Sequence, residues 1–457
     1  MTTSSNSAKN VKIDVHYLTR VEGHGSIVVD VKNGALEKCQ FQVIESPRFF
    51  ESMLVGRSIW EAQHITSRIC GICACGHTLA SVKAGEDVLG IVPSAQTVML
   101  RKLLLNTEIL DSHILHIYIL VAPDLLGVKS IFPLIKTHKS MIERALRMKK
   151  MSDFAGEVLA GRHIHPITYV IGGLTKLPSR ENLEKLYSMM LEARGDAEET
   201  LKVFKTLEFP EYERPTQYLS LKADKEYALY EGSLAVNGQR KATDKDYRAL
   251  LSETVLDYSR AKVAHIGGKP YAVGALSRFN NNFAQLNKRG KDTAKELGLK
   301  APCSNPYLNT AAQLVEWVHC LEESIKILKK VLSEGLDESK SIVSSWPKKD
   351  QTPSYRPNTG VGCAEVPRGT LFHEYTIDEK GLITAANCVI PTNQNMANLE
   401  EDMRKLVPEL INGAGVAGRN VLQGVSTEDI TLNLEMLARA YDPCISCSTH
   451  MLDVKFI

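Results

Sequence analysis

The sequence has almost no net charge, because 55 lysine and arginine residues face 53 acidic ones and leave a formal charge of +2. So weak a field gives no general attraction to nucleic acid or to an anionic membrane. A hydrophobic run of the roughly 20 residues that a membrane span needs is also missing, since the longest strongly apolar stretch runs only from Ile114 to Pro123. No apolar signal segment follows the polar residues 1–10, so we expect a flexible leader and a cytoplasmic protein.

Four of the cysteines form two widely separated Cys-x-x-Cys pairs. Two Cys-x-x-Cys pairs, Cys70–Cys73 and Cys444–Cys447, lie near opposite ends of the chain, and His77 and His450 follow them. Four thiolates form a soft ligand set that selects zinc, copper(I), iron or nickel over hard cations. With ten cysteines and no signal segment, we expect cytoplasmic thiols rather than a disulfide scaffold. These four are therefore candidate metal ligands.

A shared metal would join the two ends of the chain. Closing a loop of about 370 residues costs roughly 5 kcal/mol, whereas a four-thiolate site contributes about 10–16 kcal/mol. The sequence shows no internal repeat and no low-complexity linker, and 44% of its 457 residues are hydrophobic. We therefore predict one large domain over residues 1–450 with a deep core.

Hydrophobic periodicity predicts long amphipathic helices separated by short strands. The predicted helices cover Pro93–Val121, with Ser94 as its cap, Ser179–Leu207, Pro306–Glu334 and Ser426–Tyr441. The predicted β segments are Val11–Ile44, Tyr212–Thr243 and a hairpin over Phe372–Ile390. Prolines in Lys340–Pro357 indicate an extended surface loop.

The spacing alone leaves several kinds of cysteine site open. A structural four-cysteine zinc site is one, although zinc ribbons are short local staples rather than the distant ends of one domain. A thioredoxin-type dithiol is another, but it needs only one pair and leaves the second unexplained.

The sequence around the cysteines is more specific about the kind of site than their spacing. The segments Arg68–His77 and Asp442–His450 resemble the two signatures of the large subunit of nickel–iron hydrogenases. Six further segments match that family in order: Thr19–His24, Glu45–Glu51, Ser112–Tyr118, Gly161–Pro166, Glu365–Gly369 and Pro391–Thr392. Cys75 is an extra thiol, and Val366 stands where alanine is usual. The resemblance implies an α+β, mainly helical single domain, with a core of long helices and small peripheral antiparallel sheets.

The resemblance also implies a ligand set. Nickel would be held by all four thiolates, with Cys70 and Cys444 terminal and Cys73 and Cys447 bridging to iron. The iron would carry two cyanides and one carbon monoxide, which accessory proteins make and insert. Pro367, Arg368, Pro391 and Thr392 would line the pocket of these small ligands, with the Arg368 guanidinium facing the cyanides.

Heterolytic cleavage of dihydrogen needs a Lewis acid for the hydride and a base for the proton. Cys444 or Arg368 would be that base, and Glu22 would be the next proton carrier. A structural Glu22 bonded to Arg20 is the alternative. We also expect Asp124 and Asp442 to accompany Arg368.

Three histidines have expected roles. His77 lies one helical turn after Cys73 and would donate a hydrogen bond to the bridging sulfur, although a packed histidine is the alternative. His113 and His116 share a helix face, but no third ligand accompanies them, so we predict structural hydrogen bonds. The resemblance implies that Glu51 and His450 hold a magnesium-type cation.

Electron transfer should require partner subunits. The other cysteines show no ferredoxin-like spacing, and no nucleotide-binding glycine fingerprint is present. We therefore expect iron–sulfur clusters, flavin and the NAD(P) site on an iron–sulfur small subunit and diaphorase-type subunits. Several motifs resemble the cytoplasmic, bidirectional NAD(P)-linked and sulfhydrogenase branch, but ferredoxin, electron bifurcation or a heterodisulfide reductase fits equally well. A nickel-free quinone-reductase-like subunit is disfavoured because all four cysteines are retained.

The last seven residues, 451–457, follow His450, where the precursors of this family are cut by a dedicated protease. We therefore expect a C-terminal maturation peptide that is removed after metal insertion.

Overall fold

The computed structural model describes residues 10–343, 355–412 and 426–449. No helix among these residues is both long and apolar enough to cross a bilayer. The helices are α1 (Phe50–Leu54), α2 (Ala62–Thr66), α3 (Ala74–Leu89), α4 (Ala95–Leu115), α5 (Ala122–Leu125), α6 (Phe132–Thr137), α7 (Lys139–Ala160), α8 (Arg180–Phe204), α9 (Tyr247–Leu250), α10 (Ala275–Asn282), α11 (Lys288–Glu296), α12 (Asn309–Glu334), α13 (Glu338–Ser341), α14 (Pro391–Ile411) and α15 (Thr427–Ala440).

The long helices form the core, as the sequence predicts. Serine hydroxyls cap three of them, because Ser94, Ser179 and Ser426 each accept a backbone N–H three residues later, at the starts of α4, α8 and α15. Helices α4, α7, α8 and α12 pack together through buried apolar side chains. Trp317 of α12 is fully buried and donates its indole N–H to the Leu110 carbonyl at 3.0 Å.

Small sheets surround this bundle. Their strands are β1 (Val11–Val15), β2 (Gly25–Lys32), β3 (Ala35–Val43), β4 (Tyr169–Val170), β5 (Gly173–Leu174), β6 (Gln217–Lys222), β7 (Ser233–Val236), β8 (Gln239–Thr243), β9 (Leu251–Val255), β10 (Lys262–Ile266), β11 (Tyr271–Ala272), β12 (Asn358–Val366), β13 (Gly369–Ile377) and β14 (Ile383–Val389). Strands β1–β2–β3 and β12–β13–β14 form antiparallel sheets. The pairing of β11 with β6 is parallel. This is an exception to the predicted antiparallel sheets, and it arises because the two strands come from segments that are distant in sequence.

The structure confirms the α+β, mainly helical fold, with local differences. Helix α4 continues into a turn of π-helix over His116–Val121. Lys340 lies in the short helix α13 rather than in the predicted loop. Most of that loop lies outside the described residues.

Helix α3 is packed closely by the strand that leads to Arg368. A methyl group at Gly362 of β12 would collide with the α3 backbone at Ala80, and one at Gly76 of α3 would collide with the Val366 side chain. Both glycines are therefore needed for close approach rather than for a turn. Their contact brings the end of β12 against the start of α3, where Cys73 lies.

Candidate metal centre

The first cysteine pair lies in a loop that ends at a helix. Cys70 follows the 3-10 turn Ser67–Ile69, and Cys73 is the N-cap residue of α3. The Cys70 sulfur accepts the backbone N–H groups of Ile72 at 3.2 Å and Cys73 at 3.1 Å. The loop thus wraps around a sulfur atom in a way that favours the thiolate.

The second pair is held by the N-terminal part of the chain. The Cys444 N–H donates to the Thr392 hydroxyl at 3.0 Å, and the Ile445 N–H donates to the Glu22 carbonyl at 2.9 Å. Cys447 lies in a 3-10 turn over Ser446–Ser448. Segments that are more than 400 residues apart in sequence therefore form one wall of the site.

The four sulfur atoms converge. Cys70 and Cys444 approach to 3.6 Å, Cys73 and Cys447 to 3.8 Å, and all four sulfurs lie within 4.8 Å of one another. Each of these residues is at most 4% exposed. Within the described ranges this is the one group of histidine, cysteine or acidic side chains arranged to hold a metal ion.

Without a cation, the four buried thiols cannot all be ionised. Burial raises the pKa of Cys444 and of Cys447 well above the ordinary range. At Cys70 burial acts in the same direction, but hydrogen bonds from the three other thiols outweigh it and lower its pKa well below that range. Four thiolates would repel one another in this buried volume. A metal ion removes the conflict, because a coordinating thiol is deprotonated outright, and soft sulfur suits nickel and iron.

Arg368 is fixed beside the cysteines. Its Nε donates to the Asp442 carbonyl and one terminal nitrogen to the Asp442 carboxylate, both at 2.8 Å, and the other donates to the Ser112 hydroxyl at 3.2 Å. Burial lowers the pKa of the guanidinium, but Asp442 and the cysteine sulfurs outweigh burial and raise it well above its usual value. Asp442 therefore accompanies Arg368 as expected. Ser112 begins one of the matching sequence segments, but the sequence did not predict its contact with Arg368.

A second buried arginine, Arg278, binds the backbone of the segment just before Arg368. Arg278 donates to the carbonyls of Val366 at 2.8 Å and Pro367 at 2.9 Å. It also pairs with both oxygens of Glu316 at 2.6 Å and with Glu365 at 3.1 Å. This network, which the sequence did not reveal, fixes the backbone that presents Arg368.

We expect Glu316→Gln to destabilise the protein by about 3–5 kcal/mol at neutral pH, because it leaves the buried Arg278 charge without its bidentate partner. Burial alone would raise the pKa of Glu316, but Arg278 and His113 outweigh it and hold the pKa below the ordinary value. A carboxylate with a lowered folded-state pKa contributes its full stability above the unfolded value of about 4.3. The difference between wild type and variant should therefore shrink as the pH falls below about 4.

Chemical denaturation at several pH values measures this difference. Glu184→Gln is the matched control, because Glu184 pairs with Arg180 on the exposed surface of α8. This substitution should lower the free energy of unfolding by less than about 1 kcal/mol. A Glu316 variant as stable as this control at neutral pH would refute the assigned role.

Glu22 contacts the second cysteine pair. One carboxylate oxygen lies 3.1 Å from the Cys444 sulfur and accepts the Ser446 N–H at 3.2 Å, and the other accepts the Ser446 hydroxyl. Arg20 bonds instead to Asp124 and the Leu120 carbonyl. The alternative of a Glu22–Arg20 pair is therefore wrong.

Pro391 and Thr392 begin helix α14 and are buried against the site. Pro391 suits the first position of a helix, where no N–H is needed. Thr392 contacts the site through its hydroxyl, which accepts the Cys444 N–H. This places the predicted pocket-lining pair next to a candidate ligand.

His77 lies in the predicted place but has an unexpected partner. Its Nδ1 lies 3.0 Å from Nε2 of His373, whose Nδ1 lies 2.7 Å from the Tyr375 hydroxyl, which in turn donates to Ser81 at 2.9 Å. Burial lowers the pKa of His77 to about 4, so the ring is neutral at physiological pH. The predicted bond to a bridging sulfur remains a prediction.

The helix-face histidines have structural partners. His113 lies 2.7 Å from Glu316, and His116 lies 2.5 Å from Gln313 and 2.7 Å from the Arg439 carbonyl. Both imidazoles therefore tie α4 and its π-helical extension to neighbouring elements, as predicted.

Asp124 forms an ion pair with other arginines and none with Arg368 in the described part of the chain. Its carboxylate lies between Arg20 and Arg439, and both Arg439 contacts are within 2.9 Å. Two competing guanidinium groups, one of them 315 residues away, determine its position. Its expected place near Arg368 stays a prediction.

Glu51 lies in a polar cluster beside the site. It accepts the Lys262 ammonium at 2.8 Å and the Cys388 N–H at 2.9 Å. Glu253 Oε2 lies 3.7 Å from the same ammonium, and its buried Oε1 has no hydrogen-bond partner among the described residues. His450 lies outside the described residues, but the Thr449 carbonyl before it accepts the Arg48 N–H at 2.7 Å, three residues from Glu51. The orphaned oxygen and two carboxylates suit a hard cation.

The extra thiol has its own surroundings. Burial raises the pKa of Cys75 well above the usual range. The neighbouring Glu108 accepts the Gly76 N–H, and burial raises its pKa to about 8. Cys75 is therefore a protonated, packed thiol rather than a further ligand.

Known families match this chain over most of its length. A family model described as nickel-dependent hydrogenase matches residues 48–143 and 212–450, and one described as HoxL-like matches residues 12–46. The first includes all four converging cysteines, and the second includes Glu22.

Individual proteins are similar from end to end. The sulfhydrogenase 1 subunit alpha of Pyrococcus furiosus is 32% identical over 443 residues, covering 96% of this chain and 98% of that protein. The sulfhydrogenase 2 subunit alpha of the same organism is 30% identical, with coverages of 96% and 99%. A crystal structure of an NAD+-reducing [NiFe]-hydrogenase in the H2-reduced state has a TM-score of 0.82 and 28% identity, and the match covers 97% of this chain and 100% of that one.

Proposed function

The chain belongs to the nickel-dependent hydrogenase family, and on that premise we propose that it is the catalytic subunit of a nickel–iron hydrogenase. The proposed reaction is the reversible heterolytic cleavage of H2 into two protons and two electrons. The observation that carries this proposal is the convergence of the four buried thiols, Cys70, Cys73, Cys444 and Cys447, within 4.8 Å.

In this proposal Cys70, Cys73, Cys444 and Cys447 would hold nickel, and Cys73 and Cys447 would also hold an iron that carries two cyanides and one carbon monoxide. When bound, the centre supplies the Lewis acidity and the redox capacity that the cleavage of H2 requires. Arg368 would offer a fixed cationic donor to the small ligands, because Asp442 and Ser112 already hold its guanidinium. Pro367, Pro391 and Thr392 would exclude water around them.

The proton would leave through Cys444 and Glu22. The Cys444 sulfur, a candidate base, lies 3.1 Å from Glu22 Oε2. The Ser446 N–H holds that same oxygen in place. A proton on the sulfur can therefore pass directly to Glu22 without rearrangement of either side chain.

A magnesium-type cation is proposed between Glu51 and His450. The orphaned Glu253 oxygen and the Glu51 carboxylate offer oxygen ligands, which a hard cation prefers. It would anchor the C-terminal segment that carries Cys447.

The electrons would pass to partner subunits in the cytoplasm. The relatives are alpha subunits of sulfhydrogenases and an NAD+-reducing enzyme. We propose an iron–sulfur small subunit next to this chain, followed by diaphorase-type subunits that carry flavin and the NAD(P) site. Ferredoxin is the alternative electron acceptor.

Purification of this chain with its native partners tests the function. The complex should reduce an artificial electron acceptor under H2 and not under argon. A complex with full metal content and no hydrogen-dependent reduction would contradict the proposal.

We expect the active, nickel-loaded chain to end at His450. This expectation rests on the resemblance of the Asp442–His450 segment to the C-terminal signature of the family. Ser448 and Thr449 are buried, at 1% and 0% exposure, so the residues just before His450 belong to the folded site. Nickel must reach four thiols before this segment closes, and removal of residues 451–457 would then allow it to close. Intact-mass analysis of protein made with and without nickel measures the cleavage. A fully active population that still carries Ile457 would contradict the maturation step.

A further inference from the structure

Arg48 bonds to both cysteine loops at once. Its guanidinium donates to the carbonyls of Ile69 at 2.9 Å and Arg68 at 2.8 Å, and to the carbonyl of Ser446 at 3.2 Å. Its backbone N–H donates to the Thr449 carbonyl at 2.7 Å. One residue therefore joins two segments that lie almost 400 residues apart.

The carbonyls that Arg48 holds are next to the ligands. The Ile69 carbonyl belongs to the peptide bond that leads into Cys70, and the Ser446 carbonyl belongs to the one that leads into Cys447. The Cys447 sulfur itself lies 4.0 Å from the Ile69 carbonyl oxygen. Arg48 thus joins the peptide groups that lead into one cysteine of each pair.

The contact requires an arginine. A guanidinium presents five donors in a planar fork, whereas a lysine ammonium is a single point of charge. Three carbonyls on two loops need donors that diverge in this way. The guanidinium carbon also lies 4.9 Å from the centroid of the Phe50 ring, which packs in the apolar cluster of the four cysteines.

The charge of Arg48 is not neutralised by an ion pair in the described ranges. Its partners there are neutral carbonyls, and no carboxylate lies within 4.0 Å of its nitrogens. A positive charge at the edge of a four-thiolate group offsets part of the negative charge.

We propose that Arg48 is a positioning residue that clamps the C-terminal cysteine loop onto the N-terminal one and so sets how firmly the metal is retained. This rests on the proposed function only in taking the four thiols as ligands of one metal centre. It extends that function by naming the contact that closes the site after loading.

The test compares Arg48→Met, which removes the charge and the donors, with Arg48→Lys, which keeps the charge and a compact ammonium donor but loses the planar guanidinium fork. Each nickel-loaded complex is incubated with a chelator, and the rate of nickel release is measured together with the electron paramagnetic resonance signature of nickel. Arg180→Met is the matched control, because Arg180 also donates to a backbone carbonyl, that of Leu332 at 3.0 Å, but on exposed α8.

We expect Arg48→Met to release nickel at least about tenfold faster, since more than one charged hydrogen bond is lost. Arg48→Lys should fall between that variant and wild type, and both should shift the nickel signature. The control should match wild type in both measurements. These changes should appear while the circular dichroism spectrum and melting temperature stay close to wild type.

Two results would overturn the clamp. One is wild-type release and an unchanged signature in a folded Arg48 variant. The other is loss of the whole fold even in Arg48→Lys, which would make Arg48 a general folding residue. If the wild-type chain carried zinc instead of nickel, the proposed function would fail, but zinc release would still show whether Arg48 retains the metal.

Discussion

Alanine at any one of Cys70, Cys73, Cys444 or Cys447 should abolish hydrogen activation. The four sulfurs lie within 4.8 Å of one another in a buried volume, so no other described side chain can replace a missing ligand. A site with only three thiolates would bind nickel less tightly and would lose the arrangement of sulfurs that is proposed to hold nickel and iron together. Nickel content and hydrogen uptake of each purified variant should both fall to background.

The other thiols provide the control for this loss. Cys75 lies two residues from a ligand but is packed against Glu108 rather than against the sulfur group, and Cys303 is a partly exposed free thiol. Cys75→Ala and Cys303→Ala should keep most of the nickel and the activity. Wild-type activity in any of the four ligand variants would remove that cysteine from the assigned set.

Glu22→Gln should slow turnover and hydrogen–deuterium exchange by about 100-fold or more, which is the scale of a lost proton-transfer group. The amide can still accept the Ser446 hydroxyl, so the loop should keep its shape. It cannot carry a proton away from Cys444 at neutral pH. Nickel and iron contents, and the infrared bands of cyanide and carbon monoxide, should therefore match wild type while exchange fails.

Glu45→Gln is the matched control for this variant. Glu45 lies in the same region, and its carboxylate accepts the His24 N–H at 3.3 Å without bonding to a cysteine sulfur in the described ranges. Its exchange rate should be close to wild type. Exchange at the wild-type rate in Glu22→Gln would exclude Glu22 from the proton path.

The sequence predicted the centre of this protein better than its surroundings. The cysteine spacing and the nearby motifs predicted that the two ends of the chain meet, and the four sulfurs do so. The helix cap at Ser94 was predictable because a cap depends on residues three positions apart. Arg368 and Asp442 lie together as the motifs implied.

The surrounding contacts depend on pairings over long sequence separations, which no local pattern encodes. Asp124 pairs with Arg439 rather than with Arg368, because several buried arginines compete for a few carboxylates. The Arg278 network and the His77–His373 contact were missed for the same reason. The magnesium-type site and the cleaved tail remain predictions, because His450 and the residues after it lie outside the described ranges.

Metal analysis of the purified wild-type chain tests the central claim most directly. Four converging thiols alone would also suit zinc, whereas the proposed centre requires two different metals. The account predicts close to one nickel and one iron per chain. Stoichiometric zinc with neither nickel nor iron would contradict it.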